Sequence, residues 1–223
     1  MGLSAGVANG EPTPDISNGQ SYTVTTTVIE GGTPDNLGHW KAEVGQIAGG
    51  DPAVVEAFNT ASHTSASEQI DDVRTGWTDT TWNFESSGHV TIRNSAIAQL
   101  IGGTIYCCVH PMNFTSTIVI DSRTAQPITL ADLFANEQDG LNRLSEQAKI
   151  IVPRDFGMLD PTPDNPGFAP TQQNFANWIP AADGMEIHFD EYQFGARLPV
   201  TITVPWSTLT DVLAPDMAVL TRA

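Results

Sequence analysis

Apolar and β-branched residues alternate with polar residues over much of the chain, and this pattern predicts more strands than helices. Residues 21–30, SYTVTTTVIE, are β-branched at almost every second position and predict a strand. Residues 39–48 alternate Trp40, Ala42 and Val44 with polar neighbours and predict a second strand. Four further β-type runs, separated by Gly or Pro, follow between residues 78 and 122 and predict an antiparallel meander.

Helical spacing appears at three places. Asp51 has the residue type of an N-cap, and Pro52 follows it at the first helical position. From there apolar residues recur every three or four positions, which predicts a helix over residues 52–74. Thr129 precedes a short apolar run and predicts the N-cap of a short helix. Residues 139–152 place their apolar side chains on one face, which predicts an amphipathic helix.

The last third of the chain is predicted to return to strands. Residues 153–170 contain five prolines and predict an irregular loop. Residues 173–181, 184–190 and 199–205 then have strand character, and residues 207–213 predict a final short helix capped by Ser207.

The order strand, helix, strands, helix, strands lacks an alternating βαβ rhythm. We therefore expect an α+β fold with a mainly antiparallel sheet and helices packed on one side. Residues 1–20, rich in Gly, Pro, Ser and Asn, predict a flexible leader. Residues 21–105 form an upstream strand–helix–strand half and residues 106–223 a second half, and the two are expected to make one compact unit.

Composition limits the classes of partner. Nine basic and 26 acidic residues among 223 give a formal charge of −17 and an isoelectric point near 4.3. Such a surface repels phosphate backbones and anionic lipids, which argues against a nucleic-acid or membrane-surface partner. Only 16% of the residues are charged while neutral polar residues abound, as is typical of secreted or envelope proteins. We expect an extracytoplasmic location, with a signal or lipoprotein anchor removed ahead of Met1, and no cofactor.

The segment TIYCCVHPM, residues 104–112, holds both cysteines of the chain and raises three alternatives. Cys107, Cys108 and His110 offer metal-ligand types, but neighbouring strand residues point to opposite faces, so a metal site is disfavoured. Cys108 with His110 is a candidate thiol nucleophile and base, provided that the backbone bends at Pro111. Cys107 and Cys108 are candidates for a vicinal disulfide, against the alternative of two packed thiols.

His110 itself has two interpretations. It either shapes a turn with Pro111 or lies on a functional face shared with Asp190 and Tyr192 of the later segment HFDEYQ. Asp190 and Glu191 are adjacent, whereas a glycosidase needs two carboxylates that face each other across a substrate. A hydrolase would use His110 and Asp190 with a serine or Cys108, although the chain has no G-x-S-x-G elbow.

Five motifs in order resemble one known family, the RsiV-like C-terminal domain. They are His110-Pro111, the strand end at Asp121, PITLADLF (127–134), NFANWIPAADGMEIHFDEYQ (174–193) and VTITVPWSTL (200–209). The family includes the ectodomain of the anti-sigma factor that senses lysozyme, a peptidoglycan deacetylase and small secreted mycobacterial immunogenic proteins. With its usual upstream half, the resemblance covers about residues 21–214. The chain departs from the family at Cys107-Cys108, where small residues are usual, and in a shorter segment after Tyr192.

The resemblance implies an extracytoplasmic binding or sensing domain that is not an enzyme. It also implies a protein partner such as lysozyme, whose basic surface suits the charge of −17. An envelope glycan is the other expected class of partner, and His110, Asp190 and Tyr192 are the expected binding residues. One alternative is a weak secreted carboxylester hydrolase, an activity attributed to a secreted relative. A lesser alternative is a cell-wall glycan-binding module that uses some of the five tryptophans at 40, 77, 82, 178 and 206.

Overall fold

The computed structural model describes residues 15–77, 79–107, 109–157, 162–195, 197 and 199–222. Seven strands form one sheet in chain order: β1 (Asp15–Ser17), β2 (Gln20–Gly32), β3 (Gly38–Gly49), β4 (Trp82–Ile92), β5 (Ala96–Tyr106), β6 (Met112–Asp121) and β7 (Gln126–Pro127). A three-stranded antiparallel sheet, in the order β10-β9-β8, contains β8 (Trp178–Pro180), β9 (Gly184–Phe189) and β10 (Val200–Pro205). The helices are α1 (Pro52–Gly76), α2 (Leu130–Leu133) and α3 (Glu137–Asp155).

The large sheet is antiparallel except for one pair. Strands β3 and β4 run parallel and are connected through α1, so this part of the chain is a βαβ crossover. The order of elements along the chain predicts no such unit, because a single crossover produces no repeating rhythm. The other pairs of the sheet are antiparallel, including β5 with β6, whose register runs from Ala96↔Asp121 to Ile105↔Met112.

Helix α1 packs on one face of the large sheet. Its N-terminus is capped by the Asp51 side chain, which accepts a hydrogen bond from the backbone N–H of Ala53 at 2.8 Å. Phe58, which is fully buried, packs in one apolar cluster with Ile97 and Ile120 of the sheet. Burial of this face, more than intrinsic helix propensity, therefore fixes the position of α1.

A second layer covers the smaller sheet. Helix α3 packs against β10, and its buried Leu144 and Ala148 belong to the largest apolar cluster, which also contains Ile187 and Ile202. Ahead of α3, Thr129 is the N-cap of α2, as predicted, and it also forms a capping box with Asp132. The expected α+β class with a mainly antiparallel sheet is confirmed, and each sheet carries its long helix on one side.

Three local expectations differ from the structure. Residues 15–17, assigned to the leader from composition, form β1 and turn into β2 through Asn18 and Gly19, both with positive φ, as in a tight hairpin. Helix α3 extends to Asp155 and includes Pro153. Ser207 caps no helix, because it lies inside the 3₁₀ turn Trp206–Thr208, which has no side-chain cap. Within the described residues, no helix combines the length and hydrophobicity needed to span a bilayer.

Candidate functional site

The β5–β6 hairpin ends in an exposed apolar tip. Val109 and His110 lie in the turn between the strands, and the Val109 residue is 90% exposed. Tyr106 and Met112, the last and first residues of the flanking strands, are also exposed. Met112 lies opposite Ile105, whose side chain faces α1, whereas Tyr106 lines a cavity on the other face of the sheet, so these two side chains flank the tip on opposite sides. Exposed large apolar side chains at the end of a hairpin make this tip the first candidate contact surface.

Polar contacts fix the hairpin against the segment that follows β9. The Asn113 side-chain amide donates to Glu191 Oε1 at 2.6 Å, and the Thr104 hydroxyl donates to Asn113 Oδ1 at 2.9 Å. The Arg197 guanidinium donates to the carbonyl of Pro111 and also lies 3.9 Å from a Glu191 oxygen. These contacts hold the tip in one orientation, so a partner would meet a preorganised surface.

The three predicted binding residues separate into two places. His110 is exposed at the tip, and Tyr192 is exposed in the turn after β9, where its φ of 66° is unusual for a residue other than glycine. Asp190 instead lines a cavity of about 330 Å³ between α1 and β6, and neither His110 nor Tyr192 lines that cavity. Partial burial in this concave surface raises the pKa of the Asp190 carboxyl.

The cysteine alternatives fall partly outside the described residues. Cys107 is half-buried and packs against an apolar cluster that contains Trp82 and Ile105. Cys108 lies outside the described residues, so its use as a nucleophile and the vicinal disulfide stay predictions. Among the residues that the structure describes, no group of three His, Cys, Asp or Glu side chains is arranged to hold a metal ion.

The geometry around His110 gives the hydrolase alternative no support. Within the described part of the chain, His110 makes no hydrogen bond or ion pair, and Asp190 lines a cavity that His110 does not line. A hydroxyl–imidazole–carboxylate line occurs elsewhere, on β9 and β10. His188 Nε2 lies 2.8 Å from Glu186 Oε1, and His188 Nδ1 lies 3.2 Å from the Thr201 hydroxyl. Glu186 and Thr201 are not among the residues predicted from the sequence, although the alternation in MEIHF places Glu186 and His188 on one face.

The tryptophans are mostly structural. Trp82, Trp178 and Trp206 are buried, and Trp40 stacks on Trp82 with ring centroids 6.3 Å apart. Trp77 is half-buried beside the same cluster. All five side chains thus contribute to packing, and none is exposed as a platform for sugar rings.

An acidic polar face adjoins the hairpin tip. A cavity of about 360 Å³ on the open side of the large sheet is lined by Glu43, Glu85, Thr104 and Tyr106, with Lys41 as its basic residue. Lys41 donates a hydrogen bond to Glu43 at 2.9 Å. This bond, with the charges of Glu43 and further carboxylates, raises the pKa of the Lys41 ammonium. We call the tip residues Tyr106, Val109, His110 and Met112, together with Tyr192, the hairpin surface. It is apolar and aromatic, and carboxylates lie beside it.

Comparisons with known proteins place the fold among structures of one family. Residues 131–207 match the sequence profile of DUF3298, described as a protein of unknown function. The fold is similar to that of a DUF3298 member from Bacteroides fragilis NCTC 9343, with a TM-score of 0.64 and 13% identity over 92% of this chain and 98% of that one. It is also similar to a DUF3298 protein from Pseudomonas aeruginosa PAO1, with a TM-score of 0.59 and 10% identity over 87% and 95% of the two chains.

No curated protein matches the sequence. The matched residues include most of α2, all of α3 and the smaller sheet. They also include the segment between β9 and β10, which carries Asp190 and Tyr192. Residues 131–207 are therefore similar to DUF3298 in sequence, and the fold is similar to those of two solved DUF3298 proteins along most of their length.

Proposed function

We propose that this protein is an extracytoplasmic binding or sensing domain, of the RsiV-like type, that recognises a basic protein such as lysozyme and is not an enzyme. The observation that carries the proposal is the hairpin surface. Its exposed apolar and aromatic residues stand on a hairpin that Asn113 and Arg197 hold in place. Exposed Tyr and Met on a rigid support are typical anchors of protein interfaces.

Charge supports the choice of a basic partner. The formal charge of −17 attracts a cationic protein over several ångströms and speeds its association at low salt. Glu43 and Glu85 line the cavity that Tyr106 also lines, so carboxylates lie beside one side of the hairpin surface. A basic surface patch on the partner complements this arrangement.

Location is part of the same proposal. The chain has few charged residues but many Thr, Ser, Asn, Gly and Pro, as in proteins that work outside the cytoplasm. A domain secreted or tethered to the envelope would meet lysozyme there. The five-motif resemblance to lysozyme-sensing ectodomains supports this setting, with Cys107-Cys108 as this chain's own variation ahead of His110.

Calorimetric titration with lysozyme tests the proposal. We expect saturable binding at low salt that weakens as salt is raised, because the attraction between unlike charges is screened. Val109→Ser and Tyr192→Ala should each weaken binding by about tenfold, the loss typical of an interface anchor. Ile150→Ser is the matched control, since Ile150 is 60% exposed on α3, outside the hairpin surface.

Two results would contradict the proposal. One is the absence of heat and of any co-migrating complex at low salt. The other is an equal loss of affinity in Val109→Ser and Ile150→Ser, which would show that the hairpin surface has no special role.

A further inference from the structure

A long groove lies between α1 and the outer edge of β6. Three adjoining cavities of about 530, 650 and 330 Å³ follow one another along it. The first two share Ala61 and Ile118, and the last two share Ser65 and Ser116, so the groove is continuous. We call it the edge groove: one wall is α1 residues 56–72, the floor is β6 residues 113–120, and the other wall is residues 127–130, 172–178 and Asp190.

The floor of the edge groove is a strand edge. Among the described strands, β6 pairs with β5 on one side and with β7 on the other, at Ile120 and Asp121. Val119 accepts a hydrogen bond from the backbone N–H of Ile128, and the first residue of β8, Trp178, donates its backbone N–H to the Thr117 hydroxyl at 3.0 Å. In an antiparallel strand every second residue directs its N–H and C=O to the same side. The backbone groups of Thr117, Thr115 and Asn113 therefore face outward like those of Val119, and no described strand pairs with them. This five-residue edge is about 16 Å long.

The α1 wall leaves room beside that edge. Its groove-lining residues are small or short along two turns, at Ala57, Thr60, Ala61 and Thr64. Hydrogen bonds fix the wall to the floor at Ser116, whose hydroxyl lies 2.9 Å from the Ser65 hydroxyl and accepts from Gln69 Nε2 at 2.9 Å. An extended chain could lie along β6 without displacing a bulky side chain of α1.

One end of the groove has the character of a cation pocket. Glu68, Asp72 and Asp190 line the 330 Å³ cavity, and no Lys, Arg or His of the described chain lines any of the three cavities. Gln69, only 7% exposed, lies in the same lining. Its Nε2 donates to the Ile101 carbonyl and to the Ser116 hydroxyl, which leaves a buried Oε1 with no hydrogen-bond donor among the described residues. This Oε1 lies against Gly103 of β5 and does not open into the cavity. The three carboxylates, with no basic residue in the described lining, favour a ligand that carries positive charge.

We propose that the edge groove binds an extended, basic segment of a partner polypeptide, which adds a strand to β6 and places a Lys or Arg side chain among Glu68, Asp72 and Asp190. Backbone hydrogen bonds to the β6 edge supply affinity that depends little on sequence. The acidic pocket fixes the position of the segment, since a cationic side chain gains partners only at that end. No residue of the hairpin surface lines the groove, so this proposal stands apart from the proposed function.

Fluorescence anisotropy with a labelled peptide tests the proposal on the full chain. The probe is a seven-residue peptide that alternates Val and Thr and has Lys at both ends; the reference peptide has Glu at both ends. We expect the Lys peptide to bind saturably at low salt and the Glu peptide not to bind. Methylation of alternate backbone nitrogens of the Lys peptide should lower its affinity at least about tenfold, because a strand that cannot donate hydrogen bonds cannot pair with β6.

Two variants, each with a matched control, locate the site. Asp72→Asn should weaken binding of the Lys peptide about threefold, while Asp71→Asn, the same charge change one residue earlier, should not, because Asp71 lies outside the groove and pairs with Arg74. Thr115→Pro removes an outward N–H without touching the β5 pairing, and should abolish peptide binding while Thr115→Ala retains it.

Several outcomes would overturn the proposal. Equal binding of the Glu peptide, or equal losses in Asp71→Asn and Asp72→Asn, would indicate unspecific attraction to an acidic protein. Full affinity of the backbone-methylated peptide would rule out strand addition, and this result does not depend on any variant folding. Peptide binding that fails while lysozyme still binds the hairpin surface would overturn the edge groove alone.

Discussion

Replacing Arg123 with alanine tests the ion pair that fastens the end of β6 to the C-terminal segment. The guanidinium donates from Nε to Asp121 Oδ1 at 2.9 Å, from Nη2 to Oδ2 at 2.6 Å, and from Nη1 to the Asp216 carbonyl at 2.8 Å. The Asp121 side chain is 4% exposed, whereas that of Arg123 is 28% exposed. Truncation would leave a buried carboxylate without its charged partner.

The magnitude follows from these contacts. Removing one partner of a buried ion pair costs about 3–5 kcal/mol in free energy of unfolding. The lower limit applies here, because water can enter beside the partly exposed Arg123 and the backbone N–H of Arg123 still donates to Asp121 at 2.7 Å. A loss of about 3 kcal/mol lowers the melting temperature of a chain of this length by about 6–12 °C.

Urea and thermal unfolding followed by circular dichroism provide the assay. Arg154→Ala is the control, since Arg154 makes a similar two-armed contact with Asp155 but both side chains are largely exposed. We expect its midpoint to stay close to that of the wild type. If Arg123→Ala shifts the midpoint no more than Arg154→Ala does, burial of Asp121 does not set the strength of this contact, and the reasoning is refuted.

Three further predictions concern stability. Burial raises the pKa of Asp190, so its ionised form weakens the fold; Asp190→Asn should be more stable than the wild type at neutral pH, and the difference should vanish in urea titrations below pH 3.8. The pKa of Asp132 is lowered by its hydrogen bonds from Thr129, so Asp132→Asn should be less stable at neutral pH and equal to the wild type once acid protonates the carboxyl; a pH-independent gap would contradict this. Gly140→Ala would place a Cβ 2.1 Å from the Phe134 ring and should cost about 1–3 kcal/mol, whereas Gly76→Ala, with nothing within 4 Å, should not destabilise.

The regular elements were predictable where local chemistry and burial agree. The Thr and Val alternation of β2 and the Asp51-Pro52 start of α1 each specify their element without distant contacts. The capping box of α2 likewise follows from Thr129 and Asp132, three residues apart. In these segments the same residues that favour the element also satisfy its ends or bury its face.

Three features differ from the sequence-based predictions, and each difference has a physical cause. Asn18-Gly19 is a strong hairpin signal, but it lies in a segment whose overall composition suggested a flexible leader. The parallel pairing of β3 with β4 depends on where α1 returns the chain, and strand patterns do not specify direction. Ser207 has the residue type of a cap, but tertiary packing of Trp206 sets a 3₁₀ turn there instead.

The candidate site depended mainly on contacts between distant segments. The sequence picked out His110 and Asp190 but could not show that Asp190 faces α1 while His110 stands at a hairpin tip. The Asn113–Glu191 contact joins residues 78 positions apart. Likewise, the groove beside β6 arises because β7 pairs at only two positions, a register that the pattern of apolar residues does not encode.

Amide hydrogen exchange of the full chain with and without lysozyme tests the central claim most directly. If the protein is a binding domain that uses the hairpin surface, lysozyme at low salt should slow exchange in residues 104–113 and 190–195 and leave α3 unchanged. Protection confined to other elements, or none at lysozyme concentrations well above that of the protein, would contradict the account.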